Sequence, residues 1–456
     1  MKHKKLFPRQ LAMLVAMLLL APAASAADSD FYALPENTST AMQVDKSSVS
    51  SEQLRQIFSG AVQTALQRNP QLLSAQYSAE AAREEVKAAK GARLPQVDVS
   101  TGSRRVEFGG GNRGKYGDNN TPAVAVTAST TLYDFGQTSN TIRSKEQGVK
   151  AADFQFASQQ EDLAWQVSSA LVEISKQRLI IEASEEYVAR MQKLVNMLSA
   201  TVQLDAGRRS ELAQAKGRFL QAQSALDNAQ SNLRDSEITL QRLVGDKRIN
   251  LPKSRSWNLQ PGSVNVLLKQ AESHPTLNQA RAQAAASLAD AEALKASNLP
   301  KVNWVVSKST AKDYYGREDA WQTGVNVSWG VFRGGSASAS ERAAVQRAEA
   351  LREEAEENLD DLQQRVRAAD QDARSRLGRA DLYRNLGVES DQIRKDFFDQ
   401  WYHLGKRTLL DVLSAESDYY NNRVEEIANR YDGYSAIFRG YAGSGMLLNW
   451  LNGRIK

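Results

Sequence analysis

The stretch Trp321-Gln322-Thr323-Gly324-Val325-Asn326-Val327-Ser328-Trp329 alternates between two residue classes at every step. A period of two marks a β-strand with one apolar and one polar face. Eight steps of about 3.3 Å make roughly 26 Å, so a tryptophan stands near each edge of an apolar band as thick as a bilayer interior. Earlier in the chain, Val124, Val126, Ala128, Thr130 and Leu132 alternate in the same way with Ala125, Thr127, Ser129 and Thr131. The expected partners are 97–107 for the earlier strand and 302–308 for the later one, giving β-hairpins over about 97–133 and 302–329. Hairpins packed on a soluble core would alternate too, but the tryptophans and the leader described below favour lipid. Four strands cannot close a barrel, and an open sheet edge is not tolerated in hydrocarbon, so several chains must contribute strands together.

Outward from the strands, all ten prolines fall at or before Pro300, leaving 123–251 and 301–456 free of helix breakers. In the second tract Ala344, Ala348, Leu351, Ala355, Leu359, Leu362, Val366, Ala369, Ala373, Leu377 and Ala380 advance by threes and fours among charged residues. This is one narrow apolar stripe on a long helix. Ser338 with Glu341 fits a capping box at its start, and Gly405 is the next stop signal, so the helix would run roughly 100 Å. Thr138 to about Ala200 would be nearly as long. Such helices cannot bury themselves in a globule and must lie along one another as antiparallel hairpins.

Asn69-Pro70 and Leu94-Pro95-Gln96-Val97 return 205 residues later as His274-Pro275 and Leu299-Pro300-Lys301-Val302. Gly207-Arg208-Arg209-Ser210-Glu211-Leu212 likewise matches Gly405-Lys406-Arg407-Thr408-Leu409-Leu410, displaced by 198. Two copies of one unit are therefore expected: residues 52–250, with long helices about 138–245, and residues 264–456, with long helices about 338–443. A linker, 251–263, joins them. Residues 27–51 are polar and aperiodic and read as a flexible lead-in.

Residues 1–26 have the three parts of a secretory signal: a basic start, an apolar run from Leu11 to Ala21, and small residues ending at Ala26. The chain is expected to leave the cytoplasm. The formal charge of +5 shrinks once the leader's Lys2, Lys4, Lys5 and Arg9 are removed, leaving 54 bases against 53 acids, so nucleic acid is not an expected partner. With no cysteine, the chain has no disulfides, thiolate metal sites, cysteine nucleophile or N-terminal lipid anchor. Beyond the leader no apolar run is long enough for a spanning helix, so entry into a membrane requires a β-barrel.

Gly109-Gly110-Gly111-Asn112-Arg113-Gly114-Lys115 nearly spells a phosphate-binding loop, but no helix opens there and Tyr116 replaces the metal-binding hydroxyl, so it reads as a loop between strands. His274 and His403 are isolated, and no catalytic constellation is found; no cofactor or metal is expected.

The two repeats with a β-hairpin each, the long helix pairs and the segment Tyr402-His403-Leu404-Gly405-Lys406-Arg407-Thr408-Leu409-Leu410-Asp411-Val412-Leu413 together resemble the TolC family of outer-membrane channel-tunnel proteins. Leu132-Tyr133-Asp134-Phe135-Gly136 and Val331-Phe332-Arg333-Gly334-Gly335 look like its two strand-to-helix exits. The resemblance implies a mainly α fold with a membrane β-barrel: a homotrimer, four strands per chain in a 12-stranded barrel, and helices forming a periplasmic tunnel. It implies no enzyme, but an outer-membrane exit duct working with a periplasmic adaptor and an inner-membrane ABC or other energised transporter. The missing anchor cysteine favours type I protein secretion over small-molecule efflux. A periplasmic coiled-coil adaptor is the alternative class, but it would carry one helical hairpin with flanking β-domains.

By the same resemblance Tyr402 and Arg407 fall on the periplasmic constriction and Asp411 on its acidic ring, with Gly207 and Gly405 as the helix breaks at the tip. Trp321 and Trp329 would be membrane-interface aromatics. Two positions depart from the family pattern. Ser414 replaces a second ring aspartate, and Ala213 replaces the aspartate that accepts the constriction bonds; Glu211 and Gln214 are the nearest substitutes.

Overall fold

The computed structural model describes residues 49–102, 123–246, 249–311, 317–318 and 320–454. The leader, nearly all of the lead-in and the glycine loop at 109–115 lie outside them. Twice the chain runs helix, helix, strand, strand, long helix, long helix. The first series is α1 (Ser51–Arg68), α2 (Pro70–Gly91), β1 (Gln96–Gly102), β2 (Ala123–Tyr133), α3 (Gln137–Leu204) and α4 (Arg209–Val244). The second is α5 (Val264–Ala271), α6 (Pro275–Ser297), β3 (Lys301–Ser309), β4 (Gln322–Ser328), α7 (Ser336–Tyr402) and α8 (Leu409–Gly443), followed by a short α9 (Leu447–Leu451).

The four strands form one antiparallel sheet in the order β1-β2-β3-β4. Its register sorts the side chains. Val99 pairs with Val126, Val97 with Ala128, and Ala128 with Val306; on the same face Trp304 pairs with Val325 and Val302 with Val327. The opposite face carries Asp98, Ser100, Thr127, Ser129, Asn303, Ser307, Gln322 and Asn326. One face is thus mainly apolar, with Lys308 beside Val126 near its end, and the other mainly polar with Val305 among its small and polar residues, while β1 and β4 are edge strands with one side unpaired. Trp321 and Trp329 stand one residue outside β4 at either end rather than within it.

The long helices follow the apolar stripes. In α7 Ala348, Ala355, Leu362, Val366, Ala369, Ala373 and Ala380 are buried. Small residues let α7 and α8 approach so closely that a Cβ on Gly433 would sit 3.0 Å from the Leu377 side chain. The start of α7 differs from the expected capping box. Gly334 and Gly335 turn left-handed at φ +60° and +82°, Ser336 opens the helix, and the Ser338 hydroxyl donates back to the Gly335 carbonyl instead of capping. Glycine's freedom at positive φ sets this boundary where a side-chain cap does not.

The main core lies where α1, α3, α7, α8 and α9 meet. Phe58 stacks on Phe438 at 5.1 Å, Trp257 stacks on Tyr434 at 5.1 Å, and Arg55 covers the Trp450 ring at 4.8 Å. The segment 251–263 is anchored to this core by Leu251, Ser254, Trp257 and Leu259, which are buried, while Lys253, Arg255 and Asn258 stay exposed. Tyr434 brackets Trp257: its hydroxyl accepts from the Trp257 N–H at 2.9 Å and donates to the Trp257 carbonyl at 3.0 Å, while Tyr431 donates to the Ser254 carbonyl at 2.6 Å. Val49 bridges Trp257 from the N-terminal side, and Ser50 caps α1, so the helix opens within the expected lead-in.

On α3 the buried Glu161 carboxylate accepts the first amides of α9, Leu447 at 3.1 Å and Leu448 at 3.3 Å, and fastens the C-terminal segment. Burial pushes its carboxyl up to about 7, against those hydrogen bonds, with Asp162 adding repulsion.

Two outcomes follow from this core. Tyr434→Phe leaves a buried N–H and carbonyl of Trp257 without partners and should lower stability by about 1–3 kcal/mol in chemical denaturation. Because the folded pKa of Glu161 lies above its unfolded value, its contribution is full below about pH 4.5 and fades as pH rises to about 7. Thermal melts from pH 5 to 8 should therefore fall with pH, and Glu161→Gln should flatten the slope.

Candidate functional site: the hairpin tips

Both long-helix pairs turn at the end remote from the sheet. The α7–α8 turn is closed by Gly405 at φ +63°, across which the Lys406 N–H donates to the Gln400 carbonyl at 3.0 Å. The α3–α4 turn is built differently. Asp205, in extended conformation, breaks the helix and its Oδ1 accepts from the Gly207 N–H at 2.9 Å; Gly207 itself sits in a right-handed 3-10 turn over Ala206–Arg208. Asp205, not Gly207, therefore makes the first break, and only the second turn needs glycine's conformational freedom.

Tyr402 is the last residue of α7, half exposed and stacked on Phe398 at 5.7 Å. Arg407 lies 4.1 Å above the Phe397 ring, and its Nε donates to Gln400 Oε1 at 3.2 Å. Asp411 forms a capping box with Thr408. Its Oδ2 accepts from the Thr408 N–H at 3.0 Å and hydroxyl at 2.9 Å, while its own N–H donates to the Thr408 hydroxyl at 3.3 Å. The Thr408 N–H, then its hydroxyl, hold the Asp411 carboxyl below the usual carboxylate range, and the Arg407 charge adds to this. The three residues share one turn, yet each one's contacts stay on α7, α8 or the turn. Beneath them Tyr187, Met191, Leu194 and Leu198 of α3 pack with Trp401, Leu409, Val412 and Leu413.

At the sheet end, the Trp329 indole N–H donates to the Asn298 carbonyl at 3.1 Å, and both Trp321 and Trp329 are exposed. His274 is the N-cap of α6: its Nδ1 accepts from the Thr276 N–H, so Nε2 carries the proton and donates to the Ala442 carbonyl at 3.2 Å. Burial lowers its pKa, consistent with this neutral structural imidazole.

Sequence reasoning passed over Glu416, which is buried between arginines from two helices. The available signal was an acid on the stripe Leu409, Leu413, Tyr420, Ile427, where an apolar residue is expected.

Residues 61–246 and 267–437 match the profile of the family described as outer membrane efflux protein, and the chain belongs to that family. It is 26% identical over 387 residues to the outer membrane efflux protein BepC of Brucella suis, covering 83% of each chain. It is 23% identical over 403 residues to the outer membrane protein TolC of Salmonella enteritidis, covering 83% of this chain and 78% of that one. The crystal structure of the Campylobacter jejuni CmeC outer membrane channel superposes with a TM-score of 0.75 at 16% identity, covering 94% of each chain. The protein is thus a TolC-family outer-membrane channel protein with a large periplasmic portion, in a family of channels rather than enzymes.

The capping box is directly testable. Thr408→Val should cost about 1 kcal/mol of local helix stability and speed amide exchange in the first turn of α8 roughly fivefold.

Proposed function

We propose that three copies of this chain assemble into one exit duct, each giving its four strands to a 12-stranded barrel in the outer membrane while the long helices continue as a tunnel through the periplasm. The single observation that carries this reading is the two-faced sheet with two open edges. Pairing β4 of one chain with β1 of the next satisfies both edges, turns Val99, Val126, Trp304 and Val325 towards lipid and leaves Ser100, Thr127, Asn303 and Asn326 facing a wet lumen. Trp321 and Trp329 then mark the two lipid interfaces. The twofold element order supports a chain made of two copies of one unit.

The duct conducts passively from an inner-membrane ABC or other energised transporter, through a periplasmic adaptor, to the cell exterior. Tyr402, Arg407 and Asp411 line its narrow periplasmic end, and three Asp411 carboxylates about the axis favour cations. The chain lacks a cysteine for a lipid anchor, which supports type I protein secretion as the transport served. Small-molecule efflux is the second reading, supported by the efflux designation of the Brucella relative.

The mature protein extracted in detergent from outer membranes should have the native mass of a trimer; a soluble periplasmic monomer would overturn the duct. In planar bilayers Asp411→Asn, which removes the charge but can still accept a hydrogen bond from Thr408, should shift the reversal potential towards zero cation preference.

A further inference from the structure

Glu416 stands on the apolar stripe of α8 with 6% of its surface exposed. A carboxylate there needs partners to stay ionised. Its two oxygens go to different helices: Arg190 of α3 reaches Oε2 through Nε at 2.7 Å, and Arg394 of α7 reaches Oε1 at 3.3 Å. Arg423, two turns further along α8, pairs with Glu186 of α3, which also lies 3.7 Å from Arg190. The three guanidiniums sit 5.2, 4.7 and 5.9 Å from the centre of the Tyr419 ring, whose negative faces offset the crowding of like charges.

From this node towards the turns, no further ion pair among the described residues crosses between the α3–α4 hairpin and the α7–α8 hairpin. The hairpins meet there through Met191, Leu194, Leu198 and their apolar partners, contacts that are non-directional and re-form readily in a shifted register. The turn side chains do not stitch the hairpins together: Arg407 is held by Phe397 and Gln400, Asp411 by Thr408, and Ala213 offers no acceptor. A buried charge pair behaves oppositely to an apolar seam, because losing one partner strands the other charge and the contact breaks all at once.

We propose that the Glu416 node locks the α7–α8 hairpin against the α3–α4 hairpin of the same chain, and that the tips separate when Arg190 and Arg423 release their carboxylates. The inference rests on the reading of the tips as the closed end of a duct. It adds residues well back from the turns, and it assigns the two arginines on Glu416 different tasks. Arg190 joins the two hairpins. Arg394, which also pairs with Asp391 on its own helix, joins only α7 to α8.

The test is single-channel conductance of the detergent-extracted protein in planar bilayers, with native mass measured on the same samples. Arg190→Gln should raise the resting conductance severalfold, while Arg394→Gln should stay within about twofold of the unsubstituted protein. Unchanged conductance in a trimeric Arg190→Gln protein, or equal rises in both variants, would overturn the lock. Should Arg190→Gln fail to assemble, charge exchange decides: Glu186→Arg and Arg423→Glu should each raise conductance and together bring it back, and a pair that stays open removes the node from gating. An unsubstituted protein that is trimeric but conducts nothing at rest and opens with Arg190→Gln supports the lock equally. A wild-type chain that never assembles in membranes would instead overturn the duct reading itself.

Discussion

A helix of 68 residues has to be covered along its whole length, and the burial of α3 is the constraint on which the rest of the molecule depends. No single partner is long enough. Its first third packs on α2 and α6, its middle on α1 and α9 around Leu163, Val167, Leu171 and Ile174, and its last third on α4 and α8. Each partner is an amphipathic helix whose own stripe is narrow, so small residues do much of the packing: Ala164, Ala222 and, on α7, Ala369 and Ala373 are essentially inaccessible. Alanine seams contribute little apolar area per residue but allow backbones to come close, which suits long parallel contacts better than a few large side chains would.

The aromatic core is the exception to these thin seams. Phe58, Trp257, Tyr434, Phe438 and Trp450 concentrate large side chains at the level where α1, α9 and the connection between the halves converge. Tyr434 and Tyr431 hydrogen-bond the backbone of 254–257, and Glu161 holds the start of α9. The first amides of α9 have no partner within their own helix and 254–257 has only an isolated bridge to Val49, so side chains from the long helices satisfy the remaining polar groups. The same logic of polar groups satisfied from a neighbouring helix recurs nearer the tips at Glu416, with charges in place of backbone groups.

How much could be read in advance depended on the kind of signal. The stripe from Ala344 to Ala380 gave the long helix because periodicity is a local property repeated over ten turns. Its start is set instead by Gly334 and Gly335, whose positive φ outranks the Ser338–Glu341 capping pattern. The strand alternation marks β2 and β4 to within one residue at each end, leaving the tryptophans just outside β4, while the expected end of the first strand at 107 lies outside the described residues. At the tips, Tyr402, Arg407 and Asp411 could be picked out only by resemblance; their contacts with Phe398, Phe397 and Thr408 depend on how the turn closes.

The sequence by itself determined where the long helices and alternating strands lie, that the chain is exported, that it has no cysteine, and that its sheet has one mainly apolar face. Each of these follows from composition or from a short-range period. Tertiary structure decided that Leu251, Trp257 and Leu259 anchor 251–263 in the core, that Asp205 rather than Gly207 breaks the first hairpin, and that Glu416 is shared between α3 and α7. Those outcomes bring together residues up to 226 positions apart, such as Arg190 and Glu416. Their energies depend on burial and on which partner arrives, quantities that no local pattern of residues encodes.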